Sequence, residues 1–320
     1  MITTAAEPPV SGKPVAARPG GHWFNAHWRP RHRTRTSLIG WSFILPNLIG
    51  FGVLTLYPVL SLFYISFTNW NVFGTAQWTG LANYKRLVND PMFHTALLNT
   101  LYYCAMTIPL TLLTSLGLAL LLNTKLRGAA FFRTAAFFPY VTSIVAIAVV
   151  WNLLFSPQYG PVNEVLRALG WSSPPGWLTS EDWAMPAVAI ISTWQYMGYY
   201  MVLFLAGLQA VPQELHEAAR VDGASAVQRF FAVTLPGLRP TTFFVVIILT
   251  INSLKVFDLI LVMTNGGPGT ATLVLSQFIY QDGFVNYQFG YASAASVALF
   301  LLSIVFTVVQ FAFNRRGMAR

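Results

Sequence analysis

Charged residues are scarce in this sequence. Of the 320 residues only 9% are charged, while 55% are hydrophobic, whereas a soluble domain carries about 25% charged residues. A water-soluble surface cannot be built from so few charges, which excludes an ordinary soluble protein. The apolar residues come in long blocks separated by short polar ones, which favours one bundle of membrane-spanning helices over two soluble domains.

Residues that build catalytic and metal centres are also few. The single cysteine, Cys104, lies in an apolar run, so no disulfide framework and no cysteine-based metal site can form, and we expect a small core residue. Five histidines are scattered without ligand spacing such as H-E-x-x-H. The phosphate loop G-x-x-x-x-G-K-[ST] is missing as well. The sequence therefore predicts no catalytic residue, no metal site and no cofactor bound by this chain.

Six apolar stretches are long enough to cross a bilayer, which takes about 20 residues. They cover residues 38–66, 97–122, 134–155, 185–210, 240–263 and 290–313. Prolines interrupt several of them, and we expect kinks at Pro46, Pro58, Pro109 and Pro139. The predicted fold class is an all-α integral membrane protein with six transmembrane helices.

The basic residues predict the orientation of these spans. Fifteen Lys and Arg lie in the N-terminal segment, the loops after the second and fourth spans, and the C-terminus, against three in the other loops. Because such residues are retained in the cytoplasm, both termini are predicted to be cytoplasmic, in a bacterial inner membrane. The predicted divisions are a basic disordered tail (1–37), the membrane domain (38–313) and a cytoplasmic C-terminus (314–320). The net charge of +9 then reflects topology and lipid rather than nucleic acid, although DNA contact by the tail arginines stays an alternative.

The loop before the fifth span, residues 212–238, begins with helix signals. Pro212 suits the first position of a helix, and Glu214 and Glu217 suit its positive N-terminal end. Asp222-Gly223 is predicted to end this helix, since glycine accepts the left-handed conformation that a helix end often needs.

A second helix is predicted to follow in the same loop. Ser225 and Gln228 match a capping box, and Leu235-Pro236 is predicted to close the helix. The loop thus reads as two short cytoplasmic helices at a sharp angle, with Ala218 and Ala219 exposed for close approach. On these grounds a partner-docking surface and an ordinary interfacial helix pair both stay open.

The spacing in this loop resembles a known motif. Glu217-Ala218-Ala219 is followed after three residues by Gly223, and after nine more by Val233-x-Leu235-Pro236. This resembles the EAA loop of permease subunits of binding-protein-dependent ABC importers, with Val233 where the family usually has Ile. Further segments are similar to the sugar-type, maltose-type branch, and together they extend the likeness over residues 38–313: Gly80 to Tyr84, Ala218 to Ala224, Phe257-Asp258, and Thr264 to Pro268.

The resemblance implies a permease subunit that forms half of a translocation pore for a carbohydrate: a sugar, an oligosaccharide or a glycerol-phosphate-like solute. It implies a second permease subunit, two ATPase subunits that bind ATP and Mg, and an extracytoplasmic solute-binding protein as partners. The loop would couple to the ATPase through the residues that match the motif and its surroundings: Glu217, Ala218, Ala219, Asp222, Gly223, Leu235 and Pro236.

Polar residues in the fourth and fifth spans are candidates for a substrate pathway: Trp194, Gln195, Tyr199, Asn252, Ser253, Lys255 and Asp258. A charged side chain at a helix centre costs about 2.5–3.5 kcal/mol on insertion scales. Lys255 and Asp258, three residues apart on a continuous helix, are predicted to pair. Two roles for these residues stay open: a structural pair that holds helices together, and side chains that line the substrate pathway.

Two rival interpretations stay open beside the importer. An ion-coupled secondary transporter would use Lys255 and Asp258 as its coupling pair and would leave the loop motif unexplained. A membrane-embedded enzyme or scaffold would need a polar cluster near one interface, which the sequence does not offer.

Overall fold

The protein is a helical bundle in the computed structural model, which describes residues 31–124 and 128–318. Within these ranges the regular structure is helical, beside one isolated β-bridge between Thr68 and Trp78. The α-helices are, in chain order, α1 Arg31–Phe51, α2 Tyr57–Ser66, α3 Ala82–Val88, α4 Pro91–Leu122, α5 Ala129–Val141, α6 Ile144–Leu154, α7 Pro161–Ala168, α8 Glu181–Ala210, α9 Gln213–Val221, α10 Ala226–Arg229, α11 Leu235–Gly237, α12 Arg239–Leu254, α13 Asp258–Met263, α14 Leu275–Tyr280 and α15 Phe289–Met318. Three π-helical turns lie at Gly52–Leu56, Phe230–Thr234 and Gln281–Val285.

The chain divides into two compact units, residues 1–57 and 58–320. The described part of the first unit consists of α1, the first π-helical turn and the first residue of α2. All the sites discussed below lie in the second unit.

The helices supply up to six membrane spans. Four are unbroken and apolar: Trp41–Ser66, Pro91–Leu122, Glu181–Ala210 and Phe289–Arg315. Two more arise if bent pairs count as single spans, namely α5 with α6, bent by 99°, and Ala226–Gly237 with α12, bent by 65°. The predicted all-α membrane fold is confirmed, but two of its spans are not straight.

The third span turns far more sharply than the kink predicted at Pro139. α5 ends at Val141, Thr142 has an extended backbone (ψ 147°), and α6 begins at Ile144. Pro139 offers no N–H to the helix, which weakens the turn around it. The Thr142 hydroxyl donates a hydrogen bond to the carbonyl of Phe138 (3.0 Å), so the break leaves that carbonyl satisfied.

The fifth span is also broken, so the continuous helix predicted over 240–263 is wrong. α12 ends at Leu254, residues 255–257 are non-helical, and α13 begins at Asp258. The amides of Lys255 and Val256 still bond to the carbonyls of Asn252 and Ser253, each at 3.3 Å. Such tightened bonds satisfy the end of a helix where it stops inside a bundle.

The predicted tail boundary at residue 37 is wrong in part. α1 begins at Arg31, so residues 31–37 are helical rather than disordered. Residues 31–37 contain no proline or glycine that would interrupt the backbone hydrogen bonds of a helix. The rest of the predicted tail, residues 1–30, lies outside the described residues, as do 125–127 and 319–320. At the other end α15 runs to Met318, past the predicted limit at 313.

The contact between α4 and α8 is the most extensive of any helix pair described. The Tyr103 hydroxyl donates to Ser192 Oγ (2.7 Å), and the Thr111 hydroxyl donates to Thr193 Oγ1 (3.1 Å). Such interhelical bonds contribute about 0.6 kcal/mol each in a membrane bundle. Cys104 is buried beside them, which confirms the small core residue that was expected.

A hydrogen-bonded cluster joins α3, α4 and α15 at one end of the bundle. Asp90 caps α4 by accepting from the Met92 amide (2.8 Å), and it also accepts from the Tyr291 hydroxyl (2.6 Å). Arg86 lies 3.9 Å from the centre of the Tyr291 ring. Burial by itself would raise the pKa of Asp90, but the hydrogen bonds from Tyr291 and Met92 outweigh it and lower the pKa from its ordinary value.

Gly198 lets α5 cross α8 in direct backbone contact. A Cβ atom placed on Gly198 would overlap the carbonyl oxygen of Ala136. Because this obstacle is backbone, no side-chain movement can relieve it. The same crossing places the Thr142 break next to α8.

Gly198→Ala should therefore lower the thermal unfolding midpoint of the purified protein, since overpacking costs about 1–3 kcal/mol. The matched control is Gly117→Ala in α4, where an added Cβ meets no atom within 4 Å. It should leave the midpoint unchanged or raise it slightly, because alanine is the better helix former. Equal midpoints for the two variants would contradict the proposed close crossing.

Candidate functional site

The breaks in the third and fifth spans border one cavity of 740 Å³. Four regions line it: α4, the α5–α6 break, the middle of α8, and the segment from α12 to α13. The lining residues are Tyr103, Thr107, Tyr140, Val141, Thr142, Ile144, Ser192, Gln195, Tyr196, Tyr200, Leu249, Asn252, Ser253, Lys255, Val256, Phe257, Asp258 and Leu259. The cavity thus lies where non-helical backbone meets the central helix pair.

The cavity wall is rich in hydroxyl and amide groups. Thr107 Oγ1 and Gln195 Oε1 are buried and have no hydrogen-bond partner, although their residues are only 2% and 4% exposed. Since more than 90% of buried polar groups are hydrogen-bonded in proteins, these atoms are available to a hydroxyl-bearing molecule. Asn252 Nδ2 lies 3.4 Å from the Tyr200 hydroxyl and donates to it.

Metal coordination has no basis in the described part of the chain. Over residues 31–124 and 128–318, no group of three or more His, Cys, Asp or Glu side chains lies close enough together to hold a metal ion.

Five of the predicted pathway residues line the cavity: Gln195, Asn252, Ser253, Lys255 and Asp258. The other two, Trp194 and Tyr199, do not line it. Trp194 packs edge-on against Trp151, with ring centroids 5.5 Å apart, and Tyr199 stacks on Tyr140 at 4.6 Å. Tyr140 itself faces the cavity, so Tyr199 supports its wall.

Most of the Tyr, Ser and Thr residues that line the cavity were not predicted from the sequence. Tyr103 and Thr107 are four residues apart in α4, and Ser192, Tyr196 and Tyr200 repeat the same spacing in α8. Residues at this spacing share one face of a helix. A polar face on each of these two helices could therefore have been predicted from the sequence. The contribution of the α5–α6 break could not be found this way, because it depends on the 99° turn.

The ion pair predicted between Lys255 and Asp258 is not present. Both residues are exposed, and in the described residues the one ion pair within 4.0 Å joins Arg167 to Glu164. A spacing of three residues brings side chains together only on an unbroken helix. The non-helical segment 255–257 separates these two, which both line the cavity.

The predicted first helix of the 212–238 loop is confirmed with one change. Pro212 is the N-cap, and α9 begins one residue later. Gly223 has φ +77°, the left-handed conformation predicted for it. The amides of Gly223 and Ala224 bond to the carbonyls of Arg220 (3.0 Å) and Ala219 (2.9 Å), which is the Schellman ending of a helix.

The second helix begins as predicted and ends at Gly237, one residue after the predicted Leu235-Pro236. Ser225 and Gln228 form a complete capping box. Leu235 and Pro236 lie in α11, after the π-helical turn Phe230–Thr234, and the chain continues through a 65° bend into α12. Pro236 follows a widened turn, which relieves the clash that a proline ring makes with the preceding turn of a helix. The loop is therefore joined by nearly continuous helix to the cavity wall.

The α9–α10 loop presents an exposed surface of mixed character. Glu217, Ala218 and Gly223 are exposed, and Ala219 is half-buried. Three large apolar side chains project beside them: Leu215 is 52% exposed, Val221 88% and Val227 66%. Exposed apolar groups around small residues and one carboxylate are typical of a protein-docking surface.

Comparison with known proteins identifies a family for most of the chain. Residues 95–317 match the family described as binding-protein-dependent transport system inner membrane component. The lactose transport system permease protein of Rhizobium radiobacter is 37% identical over 278 residues, which are 85% of this chain and 92% of that protein. The trehalose/maltose transport system permease protein of Thermococcus litoralis is 35% identical over 283 residues, 88% and 95% of the two chains.

The fold also matches a solved structure. A chain of a bacterial alginate ABC transporter, crystallised in complex with an alginate pentasaccharide-bound periplasmic protein, superposes with a TM-score of 0.79 at 24% identity. The match covers 90% of this chain and 97% of that chain. At this identity the likeness establishes a shared fold.

The unpaired state of Lys255 and Asp258 leads to a stability prediction. Lys255→Met and Asp258→Asn should each change the free energy of unfolding by no more than about 0.5 kcal/mol, the usual range for exposed positions. Thermal unfolding of both variants and of the double variant measures this. Removing one partner of a buried pair costs about 3–5 kcal/mol, so a loss of that size, or a strong coupling in the double variant, would contradict the structure.

Proposed function

Because the chain belongs to the family of binding-protein-dependent transport system inner membrane components, we propose that it forms half of the translocation pore of an ATP-driven importer. The observation that carries this proposal is the cavity between the broken spans. Its 740 Å³ lie within the range of about 300–1,000 Å³ that small-molecule sites occupy. Its wall offers hydroxyl and amide groups at the level of the helix breaks.

The proposed substrate is a carbohydrate: a sugar, an oligosaccharide or a glycerol-phosphate-like solute. The unpartnered Thr107 and Gln195 atoms suit hydroxyl groups, which both donate and accept hydrogen bonds. Tyr140, Tyr196 and Tyr200 add flat apolar surfaces with polar edges. The lactose and trehalose/maltose permeases among the relatives support the same class.

Within the pore, Gln195, Asn252 and Ser253 are proposed to contact the solute directly. Trp194 and Tyr199 would hold the wall in place from behind. Lys255 and Asp258 would line the cavity separately, since each is exposed and they form no ion pair with each other.

ATP hydrolysis is assigned to separate ATPase subunits, which would bind ATP and Mg. The sequence of this chain contains no phosphate-loop motif. The α9–α10 surface would dock into the ATPase, with Ala218 and Ala219 allowing close packing and Glu217 facing basic or polar groups. Asp222 and Gly223 set the bend of the loop, and Leu235 and Pro236 lead it into α12.

Further partners complete the proposed assembly. A second permease subunit would supply the other half of the pore, and two ATPase subunits would dock on the two loops. An extracytoplasmic binding protein would deliver the solute, as supported by the periplasmic protein in the solved alginate transporter.

The proposed location is a bacterial inner membrane with both termini in the cytoplasm. Fifteen of the nineteen basic residues fall in segments assigned to that side. The α9–α10 loop is then cytoplasmic, and the segments 69–84, 156–183 and 264–288 face outward. An outward signal from a reporter fused after Gly223 would contradict this orientation.

Glu217→Lys and Gly223→Val should uncouple the importer. The first replaces attraction at the docking surface with like-charge repulsion, which costs several kcal/mol at an interface. The second places a β-branched residue at φ +77°, a strained conformation. We expect carbohydrate uptake and the ATPase activity stimulated by loaded binding protein to fall together, by roughly tenfold or more, in proteoliposomes containing the whole complex.

Matched controls separate docking from general damage. Gly170→Val has the same kind of strain, at φ +93° with open space around it, but lies outside the loop. Glu164→Lys reverses a charge on the exposed helix α7. Both controls should retain uptake and stimulated hydrolysis. Normal coupling in Glu217→Lys and Gly223→Val would show that the loop is only a connector.

A further inference from the structure

A second cavity, of 430 Å³, lies between α13 and the π-helical turn that follows α14. We call it the amide pocket, because four of its seven lining residues carry side-chain amides. The lining residues are Leu261, Asn265, Gln277, Tyr280, Gln281, Val285 and Asn286. It shares no lining residue with the 740 Å³ cavity described above.

The amide pocket contains a buried polar atom without a partner. Gln277 is fully buried, and its Nε2 donates to Asn265 Oδ1 at 2.9 Å. Its Oε1 accepts no hydrogen bond. A buried oxygen without a partner is unfavourable, and a hydroxyl that donates to it from the pocket would satisfy it.

Two further side-chain amides of the pocket have donor or acceptor groups that make no hydrogen bond within the described part of the protein. The side-chain amide of Gln281 makes no hydrogen bond with any residue that the structure describes. Asn286 uses its Nδ2 to donate to Asp282 Oδ1 (3.1 Å), which leaves its oxygen free as an acceptor. Donors and acceptors therefore occur together, as the hydroxyl groups of a sugar require.

The pocket is held on a fixed frame. Asn99 of α4 donates through Nδ2 to the carbonyls of Thr270 (2.8 Å) and Leu273 (3.0 Å), and the Thr100 hydroxyl accepts from the Leu275 amide (2.9 Å). These bonds tie the segment between α13 and α14 to the central helix. A binding site needs such pre-arranged support, because ordering a loose segment would weaken binding.

One aromatic contact joins the amide pocket to the larger cavity. Tyr280 lines the amide pocket, Phe257 lines the larger cavity, and their ring centroids lie 5.2 Å apart. α13 also serves both sites, with Asp258 on the cavity and Leu261 on the pocket. A solute in the amide pocket would be one side-chain layer away from the larger cavity.

We propose that the amide pocket is a second carbohydrate subsite, which binds neutral sugar hydroxyls on the outer side of the translocation cavity. The proposal rests on the proposed function, since it assigns the pocket to the same solute. Gln277, Gln281 and Asn286 would bond to hydroxyls, and the Tyr280 ring would lie against the apolar face of the sugar ring. No charged residue lines the pocket in the described chain, which favours a neutral solute over an anion.

An acidic group bonded to the pocket wall, Asp282, fits this assignment. Asp282 lies behind Asn286 and is buried, and burial raises its pKa from the ordinary value. Its carboxylate accepts from Asn286 rather than facing the pocket as a lining group.

Ligand-observed NMR of the purified complex in nanodiscs tests the subsite. The probes are trehalose, maltose and lactose, titrated together while saturation transfer from the protein is recorded. Gln277→Leu removes the side-chain amide at nearly constant volume. Gln281→Ala removes a second amide of the pocket, at a half-buried position. Losing one hydrogen bond should weaken apparent binding of the recognised sugar by roughly threefold to tenfold in each variant.

The matched control is Gln310→Leu. Gln310 also has a buried, unpartnered Oε1 and donates through Nε2 to Thr250 Oγ1 (2.7 Å), but it lies outside the amide pocket. This variant should bind the sugars like the wild type. Wild-type binding in both pocket variants, or no sugar signal in the wild type, would overturn the subsite. Failure of the proposed function would appear differently, as an absence of carbohydrate uptake by the wild-type complex with its binding protein.

Discussion

The structure depends on one constraint: in hydrocarbon every backbone N–H and C=O must be bonded within the protein. Non-helical backbone is tolerated at membrane depth only where it is buried in protein or faces water. The breaks after Val141 and after Leu254 meet this condition together, because both border the same cavity. Each break also keeps local bonds, through Thr142 at the first and the amides of Lys255 and Val256 at the second. The cavity and the broken helices are thus two consequences of one requirement.

The same constraint connects the α9–α10 loop to the cavity. From Ser225 onward the backbone stays helical through a π-helical turn, α11 and a bend into α12. α12 ends at the second break, where Asn252 and Ser253 line the cavity. A displacement of the loop would reach the wall through packed helix, and Gly198 keeps α5 and the first break tight against α8. In the proposed importer, closure of the ATPase subunits would reach the cavity by this route.

Much of this could be predicted from local chemistry. The apolar blocks, the Gly223 helix end and the Ser225 capping box follow from residue types at fixed spacing, and the structure confirms them. The prediction of an ion pair between Lys255 and Asp258 failed because it assumed that the helix would continue through residues 255–257. Where a helix breaks inside a bundle is decided by contacts between distant segments, such as α4 with the 270–275 loop. For the same reason the amide pocket left no readable trace in the sequence.

Accessibility of the cavity to a membrane-impermeant thiol reagent shows whether nucleotide changes the side from which the solute can enter. Asn252→Cys places a thiol on the cavity wall, and the native Cys104 is only 5% exposed. Val221→Cys, at an 88% exposed position of the loop, is the reference for the side proposed to be cytoplasmic. The account predicts that the Asn252→Cys complex reacts from the cytoplasmic side without nucleotide. With a non-hydrolysable ATP analogue and loaded binding protein it should react from the outer side instead. Reactivity that does not change with nucleotide would contradict the account.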